Sequence, residues 1–275
     1  MTADARPPGD PTTDLATMLR LEPHGPDTFV GSGPQYPWGG LYGGQIVAQA
    51  LQAATQTVDA QFRVNSLHAY FIRRGDASEP IRFEVNRVRD GRSFVTRQVI
   101  ARQAVGAILS LEASFQVDED APEVQTAVMP DVPTPDASRD DSWSPMFERR
   151  KIVVTDPPGI GRGWLRTRRS LGDDRALNAC ALAYLSDDFP TDAAVAQHPD
   201  RPGPDDEPGD HHIVSFSLDH AVWFHRPVLA DRWHLHDFTC HGLISSRGLS
   251  LGHVFTEDGV HVATITQEVL IRRRR

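Results

Sequence analysis

A helical stretch followed by four alternating strands occurs twice in this chain, in the same order. A repeat of that kind constrains the architecture more tightly than any overall property of the 275 residues. In "GGLYGGQIVAQALQAATQTV" the apolar residues Val47, Ala50, Leu51 and Ala54 recur at helical spacing after a glycine-rich lead-in, which predicts an amphipathic helix starting near Gly44. In "DDRALNACALAYLSDDF" Ala176, Cys180, Ala183 and Tyr184 do the same. The strands then pair off between the halves: "VNSLHAYFIRR" with "SFSLDHAVWFHRP", "RFEVNRV" with "WHLHDFT", "SFVTRQVIAR" with "GLSLGHVFT", and "GAILSLEASFQV" with "GVHVATITQEVLI". His68 to Ser114 spans 46 positions and His220 to Gln267 spans 47, so two copies of one unit, a helix plus an antiparallel meander, are expected.

Three stretches punctuate this pattern with Pro, Gly and Asp: residues 1–13, about 118–145, and "HPDRPGPDDEPGDHH" at 198–212. The middle one divides the chain into an N-terminal unit over 14–118, a linker over 119–145 and a C-terminal unit over 146–275. With 39% hydrophobic residues each unit has the means to bury a core. A net charge of −9, spread along the chain, argues against a nucleic-acid partner. No apolar run approaches the roughly 20 residues that span a bilayer, and the N-terminus lacks the basic and apolar regions of a secretion signal, so a cytoplasmic location is expected. Cys180 and Cys240 are too few for a disulfide framework and read as reduced, buried thiols. Metal-ligand spacing is lacking: His211 and His212 form a loop pair, and the row of His234 and His236 has no third ligand nearby.

One motif invites a specific chemistry. Gly248-Leu249-Ser250-Leu251-Gly252 matches the nucleophile elbow of serine hydrolases, in which the serine sits on a strained turn between a strand and a helix. Here Ser250 falls inside a strand that runs to an Asp258-Gly259 turn and another strand, with no helix following. The 25 residues that remain offer Asp258 and then His261 within one hairpin, where they cannot form a triad with Ser250. The two glycines then mark places where backbones or a ligand pass closely.

Other polar residues stand out by position. If the second helix persists, Asp187 follows Ala183 by four and Cys180 by seven and lies on its buried face, although a solvated helix end with Asp188 equally available fits the spacing as well. Gln267 interrupts the apolar row Ala263, Ile265, Val269 and Ile271, and is either a functional amide or an ordinary satisfied core glutamine. Ser217 shares a row with Ser215 and Asp219 and by itself reads as a strand serine. The backbone amides of Gly43, Gly44 and Gln45 at the first helix start suit a developing oxyanion, though a Gly-Gly pair also simply permits a tight turn into a helix. Ser114 stands where Gln267 stands in the other copy, and the first helix has no carboxylate in its body, so one site per chain is expected, at the interface of the units.

The segments "YGGQIVAQAL", "HAYFIRRGD", "DGRSFVTRQV" and "LDHAVWFHRP" together resemble the acyl-CoA thioesterase II family, over nearly the whole chain from about residue 15. The resemblance implies an α+β fold, the double hotdog, with each long helix wrapped by a curved antiparallel sheet. It implies hydrolysis of fatty acyl-CoA to free acid and CoA by an activated water, with no covalent acyl-enzyme and no cofactor. On the matching positions it implies Asp187, Ser217 and Gln267 as the catalytic residues that hold and activate that water, with Gly43, Gly44, Gln45 and His68 on the oxyanion and substrate side. The expected partner is acyl-CoA, and because hotdog units present strand edges, a homodimer or larger homo-oligomer is expected. Two alternatives are a noncatalytic acyl-CoA binder and an enoyl-CoA hydratase. The latter is disfavoured because Gly75-Asp76 is followed neither by Asn-Pro nor by the histidine that such hydratases carry.

Overall fold

The computed structural model describes residues 14–201 and 213–273. The first and third punctuating stretches, His211-His212 and the last two arginines therefore lie wholly or partly outside the described residues. In chain order the elements are α1 (Leu15–Met18), β1 (Glu22–Pro23), β2 (Thr28–Gly31), α2 (Gly43–Thr55), β3 (Phe62–Phe71), β4 (Ile81–Asp90), β5 (Phe94–Gln103), β6 (Gly106–Val117), a 3-10 turn (Pro135–Ala137), β7 (Arg139–Asp140), β8 (Phe147–Ile152) and β9 (Ile160–Thr167). They continue with α3 (Arg175–Leu185), α4 (Phe189–Gln197), β10 (Ile213–Ser217), β11 (Asp219–Phe224), β12 (His234–Ile244), β13 (Arg247–Thr256) and β14 (His261–Arg273). All eight strands that the repeat predicts are present, one of them divided at Leu218 into β10 and β11.

The strands form one sheet in the order β1-β2-β4-β5-β6-β3-β11-β14-β13-β12-β9-β8-β7, with β10 also on β14. The two meanders meet where β3 pairs antiparallel with β11, Ala69 opposite His220 and His68 opposite Ala221. One edge of each unit is thus consumed within the chain, and the sheet's outer ends are two-residue strands, β1 and β7, too short to template another chain.

Three helices, α2, α3 and α4, lie inside the curve of this sheet, with α4 packed on β9, β12 and β13. α2 packs on α3 and on the strands around it, with Val47, Ala48, Ala50, Leu51, Ala53 and Ala54 all fully buried. Close approach follows from the small side chains: a Cβ on Gly44 would come 2.3 Å from the Tyr184 carbonyl oxygen, and Cys180 Sγ lies 3.4 Å from Gln52 Oε1. Those two contacts make the helices antiparallel, so the N-terminus of α2 meets the C-terminus of α3, opposite ends of two helix dipoles. Helices wrapped by one curved antiparallel sheet make the double hotdog that the family resemblance implied.

Two features differ from the sequence expectation. The second helix does not persist to Asp187: α3 ends at Leu185, and α4 begins at Phe189 with Pro190 in its first turn, where the missing N–H is tolerated. The stretch expected as a linker is fastened to the second unit. Trp164 Nε1 donates to the Pro133 carbonyl, Gln125 bonds Gly259 and His261, and Ala127, Met129 and Val132 pack on Trp164, Trp233, Leu235 and Phe255.

Candidate active site

The break between α3 and α4 builds the site. Asp188, the residue that spacing left open as an alternative to Asp187, turns away and accepts from Trp143 Nε1 at 2.8 Å and Arg149 Nε at 2.5 Å. Arg149 also binds Asp141 and Asp192, and this ion-pair cluster clamps the turn from outside. Asp187 is left pointing inward, 5% exposed, at the N-terminus of α2.

Its carboxylate is met from both repeats. The Gly44 amide donates to Oδ2 at 2.9 Å, and Ser217 Oγ donates to Oδ1 at 2.9 Å. Gln267 Nε2 donates to Ser217 Oγ at 2.9 Å. Asp187, Ser217 and Gln267, named from three separate stretches of sequence, therefore form one hydrogen-bonded cluster. Burial pushes the Asp187 pKa up to about 7 against the hydrogen bonds of Ser217, Gly44 and Gln267, and the nearby Asp188 charge adds to the rise. The clefts of about 300 and 400 Å³ on the surface line neither Asp187 nor Gln267.

The glycines act differently from the expectation. The Gly44 amide, expected to face substrate, is spent on the carboxylate, and the Gln45 amide bonds the Tyr42 carbonyl. The Gln45 side chain is fully buried and held by Tyr36 and Gln49. Gly43 has no acceptor for its amide among the described residues, and a Cβ there would sit 2.6 Å from Asp187 Oδ2. What the Gly-Gly pair permits is the approach of Asp187 and of the α3 backbone.

His68 does not join the cluster. It is exposed on the outer face of β3, edge-on to Trp223 with ring centroids 5.1 Å apart. Its repeat partner His220 is the buried one, 1% exposed, with Nδ1 2.5 Å from Gln267 Oε1 and Nε2 2.8 Å from Ser186 Oγ. Alternation in the sequence carried that signal: Leu67 and Ala69 flank His68 in a polar row, whereas His220 shares its row with Val222. Sequence reasoning also missed an aromatic group around the α2 start, in which Tyr36 stacks on Trp38 at 5.1 Å and Tyr42 packs edge-on against Trp143 at 5.2 Å.

Ser250 lies on β13, fully buried, with its hydroxyl on the Pro190 carbonyl at 2.7 Å. Its flanking glycines are close-approach positions: a Cβ on Gly248 would meet Ala194 at 2.9 Å and one on Gly252 the Phe238 ring at 2.2 Å. Cys180 and Cys240 are free and buried. Among the described residues there is no group of three metal-ligating side chains placed to hold an ion, and no helix long and apolar enough to cross a membrane.

Fold and site together define a double hotdog protein with one carboxylate-centred cluster where its two units meet. Family models described as the acyl-CoA thioesterase N-terminal and C-terminal domains match residues 33–116 and 119–271. Human acyl-coenzyme A thioesterase 8 is 34% identical over 97% of this chain and 91% of its own. Acyl-CoA thioesterase 2 of Haemophilus influenzae is 32% identical over 96% and 98%. The crystal structure of an acyl-CoA thioesterase II from Mycobacterium marinum superposes with a TM-score of 0.81 at 35% identity, covering 94% of this chain and 97% of that one. The chain belongs to the acyl-CoA thioesterase II family.

Proposed function

We propose that the protein hydrolyses fatty acyl-CoA thioesters by direct attack of water activated at Asp187. The observation that supports this reading above all is the convergence of Asp187, Ser217 and Gln267, with a carboxyl pKa near 7, at the N-terminus of α2. A carboxylate with that affinity for protons is a competent general base at neutral pH. Asp187 takes a proton from water as its oxygen adds to the thioester carbonyl. Ser217 and Gln267 hold the carboxylate in line. The free Gly43 amide, beside the carboxylate and at the positive end of the α2 dipole, is the donor we assign to the developing oxyanion. Collapse breaks the C–S bond, and the departing thiolate recovers the proton from Asp187, leaving free acid and CoA.

Tyr36, Trp38, Tyr42 and Trp143 supply an apolar wall next to this chemistry, suited to an acyl group. We further infer a cytoplasmic enzyme that assembles into a homodimer or larger oligomer. With the strand edges used internally, the exposed apolar residues Tyr70, Phe216 and Leu249 are the surface for assembly, and a monomeric mass in solution overturns that part.

The test is thiol release from a panel of acyl-CoAs, followed by a single turnover in heavy-oxygen water. Release of CoA with label in the free acid and none in the protein is expected. Absence of turnover across the panel, or label retained in Asp187, overturns the reading.

A further inference from the structure

The cluster at Asp187 continues inward beyond the residues that hold the water. From Gln267 it runs to His220 and from His220 to Ser186, and it ends at the last turn of α3, where the Ser186 hydroxyl is also 3.0 Å from the Ala183 carbonyl. Gln267, His220 and Ser186 are 0%, 1% and 0% exposed, so every donor and acceptor in this segment is settled by the protein itself.

Those partners leave one consistent arrangement around an ionised Asp187. Ser217 has a single hydrogen and gives it to the carboxylate, so it accepts from Gln267, whose amide must present its NH2 to Ser217 and its oxygen to His220. An oxygen 2.5 Å from Nδ1 requires the proton there. Burial holds the His220 pKa down at about 4, so the ring is neutral and its Nε2 is a bare acceptor 2.8 Å from the Ser186 hydroxyl, whose one hydrogen it shares with the Ala183 carbonyl. The opposite tautomer sets Nδ1 lone pair against the Gln267 oxygen. Turning the amide to relieve this then sets that oxygen against a Ser217 oxygen whose hydrogen already belongs to Asp187.

We infer that His220 is a positioning residue: as the neutral Nδ1-H tautomer, anchored by Ser186, it locks the Gln267 amide so that every hydrogen bond from Ser186 through His220, Gln267 and Ser217 points toward Asp187. Such a chain polarises each successive bond and favours the anionic carboxylate that takes the proton. Tyr42, Tyr184 and Asp188 are the other titratable groups whose charge bears on Asp187, and His220 reaches it only through Gln267 and Ser217. The inference rests on the role proposed for Asp187, and its first test does not depend on that role.

That test is the nitrogen NMR spectrum of the intact protein labelled at histidine. A His220 ring with its proton on Nδ1 at neutral pH is expected, and a proton on Nε2 overturns the inference whether or not the protein is a thioesterase. The second test compares His220→Asn, whose side-chain NH2 can still donate to the Gln267 oxygen, with His220→Leu, which cannot. His220→Leu is expected to lower kcat by about tenfold or more with KM nearly unchanged, the loss usual when the partner orienting an active-site ligand is removed. It is also expected to move the acid limb of the pH profile upward, while His220→Asn retains most of kcat and the native limb. Equal loss in two folded variants, or no loss in His220→Leu, overturns it. If His220→Leu does not fold, the tautomer measurement on the native protein decides alone.

Discussion

The Gly44 amide, in the first turn of α2, donates its hydrogen to Asp187 Oδ2 at 2.9 Å across 143 positions of sequence. This bond ties the helix of one repeat to the helix break of the other: the three side chains of the cluster come from the second repeat, and the first adds the amide. The carboxylate is stabilised by a helix N-terminus and a hydroxyl and by no arginine, because Arg149 is taken by Asp141, Asp188 and Asp192. A fully compensating ion pair would pull the carboxyl pKa down and leave a poor base.

Replacing Asp187 with Asn removes the base and keeps nearly the same shape. Turnover is expected to fall about 100-fold or more, the scale of a lost general base, with a small change in KM. Steady-state hydrolysis of a good acyl-CoA substrate measures both. Native turnover in this variant would remove Asp187 from the chemistry.

The pH profile follows from the same carboxyl. Burial raises its pKa to about 7 and the base form is the working one, so activity is lost as pH falls through about 7 and levels off above it. The profile of kcat/KM checks this directly. An acid limb near the ordinary carboxylate value would mean that the carboxyl is well hydrated in the free enzyme.

Gly44 has no room for a side chain, since a Cβ would press on the Tyr184 carbonyl oxygen at 2.3 Å, which is backbone and cannot swing aside. Gly44→Ala is expected to force α2 and α3 apart, costing about 1–3 kcal/mol of stability. Because the same shift carries the Gly44 amide off Asp187, turnover falls too. Urea denaturation and thiol release measured on one preparation test the coupling, and a variant with native stability and rate would show that the helices are not packed at this point.

The fold was legible because its signal is periodic and doubled. Gln267 stood out as the one polar residue in an apolar row, and all four of its row-mates are 2% exposed or less. Ser217 was not legible by pattern, since Phe216 beside it is 47% exposed and the usual apolar-inward rule is inverted where β10 faces the site. Asp187 was half legible: its spacing assumed a continuous helix, whereas its burial comes from the break before Pro190. Missing α4 had the same root, since a Pro that stops one helix also suits the first turn of the next. His68 was named through family resemblance, although the alternation of both strands already assigned the buried place to His220.

Ser250→Ala is expected to leave hydrolysis intact, because the hydroxyl bonds the Pro190 carbonyl and, among the described residues, no histidine bonds it. Removing that bond costs about 1 kcal/mol of stability without touching the rate, since the Pro190 carbonyl lies within α4. A serine-reactive fluorophosphonate is expected to leave the protein unlabelled. Stoichiometric labelling at Ser250 would restore the nucleophile elbow that the five-residue motif suggests.

Asp187 also carries a stability consequence with a definite sign. Its carboxyl binds a proton more tightly when folded, with a pKa of about 7 against 3.8, so the unfolded chain gives up that proton first. The folded state is therefore unpenalised below the unfolded value, loses stability as pH rises between the two values, and carries the full penalty above about 7. At roughly 1.4 kcal/mol per unit that penalty approaches about 4 kcal/mol. Asp187→Asn has no charge to desolvate but gives up an acceptor for Gly44 or Ser217, worth about 1–2 kcal/mol. The variant is thus expected to be no more stable than the parent near pH 4 and more stable by about 2 kcal/mol at pH 8. Denaturation curves of both proteins across that range read the difference, and one that stays flat with pH would mean that the buried carboxyl does not hold its proton to neutrality.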